Sequence, residues 1–240
     1  MIIPTMFERL FSTQLLHLPE ALTMQLYLRA SWAVVLVWVV LNLARPWLAG
    51  KLRDALVLGA GLVGVWALLP GELSPAYWLG LAFQAPSLIT TGLAALAVFQ
   101  MLQPSDPCAG LPPSGQPWGW VMCLPVLLGW ALLLDTFAVF PVSVYALGFS
   151  SVALALTVLV VLILGLVAVK FAGRSFAMGR VQLGMVFGVL AVFVLLRLPT
   201  GNLWDALLDP WLWVAVHVLA LRRVFGWFKA RWFASTTTRV

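Results

Sequence analysis

Long uncharged apolar runs, separated by short polar or proline-containing stretches, dominate this chain. The longest run, residues 151–169, carries no charged residue, and crossing the hydrocarbon core of a bilayer takes about 20 residues at roughly 1.5 Å each. Runs such as residues 157–169 lack the alternation of polarity, in segments of about 10 residues, that is typical of a membrane β-barrel. The pattern therefore predicts an all-α integral membrane protein, a polytopic helical bundle.

About seven transmembrane helices are predicted, near residues 22–44, 54–69, 76–102, 118–138, 150–171, 181–198 and 208–224. If the first of them lies flat on the membrane, six helices cross it. The stretch of residues 103–117 holds five prolines and two glycines, which forbid a helix there.

The two ends of the chain differ from this apolar middle. On a helical wheel of residues 1–19, apolar and polar side chains fall on opposite halves. The apolar half holds Met6, Phe7, Leu10, Phe11, Leu15 and Leu18. We expect an N-terminal amphipathic interfacial helix, lying on lipid or on the rim of the bundle. A transmembrane domain follows over residues 20–224, and residues 225–240 form a tail of bases and aromatic residues, which suits an anionic membrane surface.

The third apolar segment contains Pro86, and proline removes one backbone hydrogen bond and commonly kinks a helix. Gln84, Ser87 and Thr91 lie near one face of this segment at helical spacing. These side chains either hydrogen-bond to a neighbouring helix, at about 0.6 kcal/mol each, or line a polar path. Packing is the favoured interpretation.

The composition supports the membrane interpretation. Of the 240 residues, 63% are hydrophobic and 9% are charged, whereas a soluble domain carries roughly 25% charged residues. Such a chain cannot cover a globule with polar surface, so lipid must form part of its solvent. The net charge of +6 does not indicate nucleic acid, because the bases lie at segment ends, where they set topology. The expected partners are the lipid bilayer and other integral membrane proteins.

The bases are divided unevenly between the two ends of the predicted helices. With seven helices, one side holds residues 45–53, residues 170–180 and residues 222–240, with three, three and five bases. The other side holds residues 70–76, the turn at Pro141 and residues 199–209, with none. The positive-inside rule then places the amino terminus outside and the carboxyl terminus in the cytoplasm. The expected location is a bacterial inner membrane.

Histidine offers one candidate for cofactor binding. A bis-histidine haem b needs two facing imidazoles, but the predicted topology keeps His17 and His217 apart, since His17 lies near the outer surface. His217 alone is a candidate ligand for a pigment or a five-coordinate haem, or a contact for a quinone. The alternative is a hydrogen bond to a neighbouring helix, and the cofactor stays unknown.

A second candidate site lies at the outer helix ends, where several carboxylates accompany one guanidinium. These groups could bind a cation or a phosphate head group, or serve as helix caps and an ion pair. They are Glu72, Asp135, Arg197, Asp205 and Asp209. The sequence contains no Ser-His-Asp set, phosphate-binding glycine loop or zinc motif, and Cys108 and Cys123 give no metal spacing. We therefore predict no catalytic residue and no metal site, and an enzyme is the less favoured interpretation.

Two stretches resemble a known family. In GWALLLDTFAVFPVSVYALGF (Gly129–Phe149), a span ends in Leu-Asp, a short turn follows, and Ala-Leu opens the next span. This stretch resembles MreD, the small membrane protein of the bacterial cell-elongation machinery. LWDALLDPWLWVAVHVLALRR (Leu203–Arg223) is similar to that family's last span, with a proline near its start and bases after it. The resemblance covers under a quarter of the chain and implies a scaffold for cell-wall synthesis enzymes, without catalysis of its own.

These observations favour a non-catalytic multi-pass subunit or assembly factor that packs against other membrane proteins. Ionisable residues are nearly absent inside the predicted spans, glycines mark two helix faces (residues 59–64 and 184–188), and the loops are short. Two alternatives stay open. One is a transporter or flippase for a neutral or lipidic substrate, and the other is a cofactor-bearing subunit of a membrane energy-transduction complex.

Overall fold

The structure, a computed structural model, describes residues 18–48, 50–103, 123–171 and 176–237. Within these ranges the chain is all-helical and contains no strand, which confirms the predicted fold class at that level. There are ten α-helices in the described part: α1 (Ala21–Leu43), α2 (Arg53–Leu68), α3 (Pro75–Phe83), α4 (Leu88–Leu102), α5 (Cys123–Thr136), α6 (Val144–Leu147), α7 (Ser151–Phe171), α8 (Phe176–Leu196), α9 (Leu203–Leu207) and α10 (Pro210–Thr237). A short 3-10 helix, Arg45–Trp47, follows α1.

One described helix, α1, is long and apolar enough to cross a membrane by itself. Its 23 residues extend about 34 Å at roughly 1.5 Å per residue. Its length and composition indicate membrane association. Shorter apolar helical stretches are Leu88–Leu102, Leu124–Thr136, Ser151–Leu166 and Gly184–Leu196.

Short polar side chains fix where several helices begin. The Ser74 hydroxyl accepts a hydrogen bond from the Ala76 amide at 3.2 Å, and Pro75 occupies the first turn of α3, where its missing N–H costs nothing. At the start of α10, Asp209 Oδ1 accepts from the Leu212 amide at 2.7 Å. The carboxylate also complements the helix dipole there. The starts of α3 and α10 therefore follow from the local sequence.

The contacts divide the chain into two compact units. The first lies within Met1–Pro113 and Tyr145–Leu207, and its largest fully buried side chain is Phe193, 1% exposed. Two clusters form its core, one around Phe193 and Leu203 and one around Trp32. The second unit lies within Ser114–Val144 and Leu208–Val240, where α5 packs against α10.

The predicted third span is wrong at its centre. A kinked but continuous helix was expected over residues 76–102, whereas the helix is broken between α3 and α4. Gln84 adopts a left-handed backbone conformation (φ 61°), which ends α3, and Ser87 begins α4 as its N-cap. Proline explains a kink, and the complete break is accompanied by hydrogen bonds from α1 to the carbonyls of Gln84 and Pro86.

Two other boundaries differ from the expectation. Helix α8 begins at Phe176, so Arg180 belongs to that helix and the loop before it is shorter than predicted. Helix α10 continues to Thr237, through most of the residues predicted as a separate tail. The predicted amphipathic helix lies almost entirely outside the described residues, which begin at residue 18.

Candidate functional site

The break between α3 and α4 brings backbone carbonyls to side-chain donors of α1. The Gln84 carbonyl accepts a hydrogen bond from Trp32 Nε1 at 2.8 Å. The Pro86 carbonyl accepts from the Tyr27 hydroxyl, also at 2.8 Å. Trp32 lies eleven residues from either end of α1, so the non-helical segment meets this helix midway along its length. Unpaired carbonyls in apolar surroundings would be costly, and the two aromatic side chains of α1 satisfy them.

The hydroxyls of Ser87 and Thr91 also have partners within the chain. The buried Ser87 hydroxyl accepts from the Thr90 amide at 3.1 Å and donates to Thr90 Oγ1 at 3.0 Å. Thr91 Oγ1 donates to the Ser87 carbonyl at 2.9 Å and lies 3.1 Å from the Tyr27 hydroxyl. Gln84 lies outside both helices, so the expected single helical face of Gln84, Ser87 and Thr91 is wrong. The donors on α1 were not predicted, since Tyr27 is 59 residues from Pro86.

Asp205 is the centre of a hydrogen-bonded group at one turn of the first unit. Its Oδ2 accepts from the Tyr145 hydroxyl at 2.8 Å and from the Thr200 hydroxyl. Partial burial, the charge of Asp205 and the hydrogen bond to it raise the pKa of Tyr145 from 10.0 to about 12. The phenol therefore stays protonated at neutral pH and donates to the carboxylate.

Asn202 joins two turns of the first unit beside this group. It is fully buried, its Nδ2 donates to the Tyr145 carbonyl at 2.9 Å, and its Oδ1 accepts from the Trp204 amide at 2.9 Å. The Leu203 amide donates to the Gly148 carbonyl at 3.0 Å. The sequence had not singled out Asn202 or Thr200. The only available signal was the run of turn-forming residues that follows Pro199.

The remaining candidate carboxylates have local roles. In the second unit, Asp135 Oδ2 accepts from the Ser143 hydroxyl at 2.8 Å across the turn after α5, and Asp209 caps α10. In the first unit, Glu72 offers its backbone carbonyl to Trp78 Nε1 at 2.7 Å.

Arg197 lies over the ring of Phe193, with its guanidinium carbon 5.3 Å from the ring centroid, an arrangement that suits a cation–π interaction. The predicted cluster is divided between the two compact units, since Glu72, Arg197 and Asp205 belong to the first and Asp135 and Asp209 to the second.

His217 lies on α10 within an aromatic cluster of the second unit. Its Nδ1 lies 2.8 Å from the Trp213 carbonyl, and its Nε2 accepts from Trp130 Nε1 at 3.1 Å. A carbonyl can only accept and an indole N–H can only donate, so these partners require a neutral imidazole with its proton on Nδ1. The Trp213 ring packs edge-on against His217, with ring centroids 4.6 Å apart. A metal ion that bound to Nε2 would have to displace the Trp130 indole.

In the part of the chain that the structure describes, no three His, Cys, Asp or Glu side chains come together in a way that could hold a metal ion. Comparisons with protein-family models, curated proteins and solved structures found no match. The resemblance to MreD therefore stays a hypothesis from two short stretches. Several of these candidate groups bond within the chain, as helix caps, carbonyl partners or turn bridges.

Proposed function

We propose that this chain is a non-catalytic multi-pass subunit or assembly factor of a bacterial inner membrane, which packs against other integral membrane proteins. One observation carries the proposal. The carbonyls of Gln84 and Pro86, Asp205 Oδ2 and both ring nitrogens of His217 are paired inside the chain. In contrast, large apolar side chains along the long helices are exposed, for example Leu166 and Leu195 at 70% and 79%. Exposed apolar surface of this kind suits lipid and neighbouring helices.

Seven crossings fit this proposal: α1, α2, the broken pair α3–α4, α5, α7, α8 and α10. Helices α7 and α8 have 21 residues each, about 31 Å, close to the thickness of the hydrocarbon core. The Arg53 guanidinium donates to the Leu102 carbonyl at 2.9 Å, which joins the start of α2 to the end of α4. Such a contact supports placing both helix ends on one side of the membrane. By the positive-inside rule, the bases of residues 45–53 make that side cytoplasmic.

Purification at native expression in a mild detergent tests the proposal. We expect other membrane proteins to co-purify with the tagged full chain in fixed proportion, as measured by quantitative mass spectrometry. A chain that is functional as a solitary monomer would contradict the scaffold role. An absorption spectrum of the same sample tests the cofactor alternative, because a bound haem or pigment absorbs visible light and would bring His217 forward as its ligand.

The broken helix supports a second candidate, a transporter or flippase for a neutral or lipidic substrate. Discontinuous membrane helices with non-helical backbone at mid-depth commonly form substrate sites in transporters. In this chain the break lies beside the midpoint of α1. Replacing Gln84 and Thr91 together by Ala should then reduce substrate passage in vesicles at an unchanged protein level. Passage at the wild-type rate would reject this candidate.

A further inference from the structure

Helix α10 is longer than a membrane crossing requires. It runs without interruption for 28 residues from Pro210 to Thr237, about 42 Å, against a hydrocarbon core of about 30 Å. Residues 210–221 carry no charge, and the first bases are Arg222 and Arg223. A crossing takes about 20 residues, so one that starts at Pro210 ends near Lys229. The stretch from Arg222 to Lys229 therefore falls at the inner boundary of the membrane, within reach of snorkelling side chains.

Within that stretch, Arg222, Phe225 and Lys229 share one face of the helix, because they are three and four residues apart. We name these three residues the basic stripe. All three are exposed, Phe225 by 69%. The chain contains no Asp or Glu after Asp209, so α10 carries bases without acids of its own.

We propose that the basic stripe binds the phosphate groups of anionic phospholipids in the cytoplasmic leaflet, with Phe225 inserted between their acyl chains. The inference rests on the proposed membrane function and names a partner for one of its helices. The proposal is supported by the charge complementarity between the bases and the lipid phosphates, and by the continuity of α10 with the crossing. A helix that leaves the membrane with its bases at the boundary meets lipid phosphates before any other anion, and guanidinium binds them in a bidentate manner.

Electron paramagnetic resonance of the full chain in phosphatidylcholine vesicles tests this proposal. Spin-labelled phosphatidylglycerol or spin-labelled phosphatidylcholine is added, and the fraction of motionally restricted label gives the preference for the anionic lipid. We expect about a threefold preference in the wild type, since each base near the surface attracts anionic lipid appreciably. The double substitution Arg222→Gln and Lys229→Gln should remove at least half of it, and Arg222→Lys with Lys229→Arg should retain it.

A matched control removes two exposed bases elsewhere. Arg45→Gln with Lys51→Gln changes the net charge equally and should leave most of the preference in place. Equal losses in the two Gln double variants would overturn the proposal, because net charge alone would then explain the preference. A wild type without preference for the anionic lipid would also overturn the proposal. This holds even if the basic stripe retains an acidic protein partner instead. If neither labelled lipid is restricted, the chain is not in the bilayer, and the proposed membrane function fails as well.

Discussion

Gly148 has no room for a side chain. A Cβ atom there would overlap with Asn202 Oδ1 and lie 2.6 Å from Trp204 Cδ1. Gly148→Ala should therefore push Asn202 away from the Tyr145 carbonyl and lower the free energy of unfolding by about 2–3 kcal/mol, as overpacking of a buried site does. Thermal unfolding of the detergent-solubilised chain, followed by circular dichroism, measures this.

Gly184→Ala is the matched control for that substitution. A Cβ atom at Gly184 meets nothing within 4 Å, and alanine in a helix interior is favoured over glycine by about 1 kcal/mol. The control should leave the stability unchanged or raise it. Equal destabilisation by the two variants would contradict the tight contact at Gly148.

Tyr145 makes the stability of the folded chain depend on pH in the alkaline range. Its pKa is raised from 10.0 to about 12, first by burial and then by Asp205, so the folded state favours the neutral phenol. This contribution to stability is fully present below pH 10 and is lost as the pH rises through about 12. Because the chain has three tyrosines, tyrosinate absorbance can resolve one late-titrating group, which Tyr145→Phe should remove. Identical titration curves for the two proteins would contradict the assignment.

The candidate residues were predictable by type but not by partner. Asp205 was identified because a carboxylate near a helix start is chemically conspicuous. Its partner Tyr145 lies 60 residues away, and no local pattern joins two residues so far apart. For the same reason the sequence left His217 open between ligand and hydrogen-bonding residue, since Trp130, 87 residues away, provides the donor to its Nε2.

At the scale of elements, hydrophobic run length was the reliable signal. Helices α1 and α2 begin and end within one residue of the predicted bounds of 22–44 and 54–69, because apolar runs with charged or proline residues at their ends leave little freedom in placing the ends. The break at residues 84–87 could not be predicted in the same way. Pro86 explains a lost helical bond, but the left-handed Gln84 depends on donors from α1, which are tertiary contacts.

The break should be sensitive to loss of a single hydroxyl. Tyr27→Phe keeps the ring and removes the donor to the Pro86 carbonyl, which should lower the free energy of unfolding by about 1–2 kcal/mol, because a buried carbonyl loses its partner. Tyr77→Phe is the matched control, since Tyr77 is exposed and packs edge-on against Trp78. Urea or thermal unfolding of both variants measures the difference. A Tyr27→Phe variant as stable as the control would show that the hydroxyl does not hold the break open.

At the scale of the whole molecule, the distribution of bases predicts which side of the membrane each turn faces. Helix α2 separates two exposed residues, Lys51 before its start and Leu73 after its end. If α2 crosses the membrane with residues 45–53 in the cytoplasm, Leu73 lies outside. In a background with Cys108→Ser and Cys123→Ser, Leu73→Cys should react with a membrane-impermeant maleimide in intact cells, and Lys51→Cys only after permeabilisation. The reverse order would invert the topology, and labelling of both in intact cells would show that α2 does not cross the membrane.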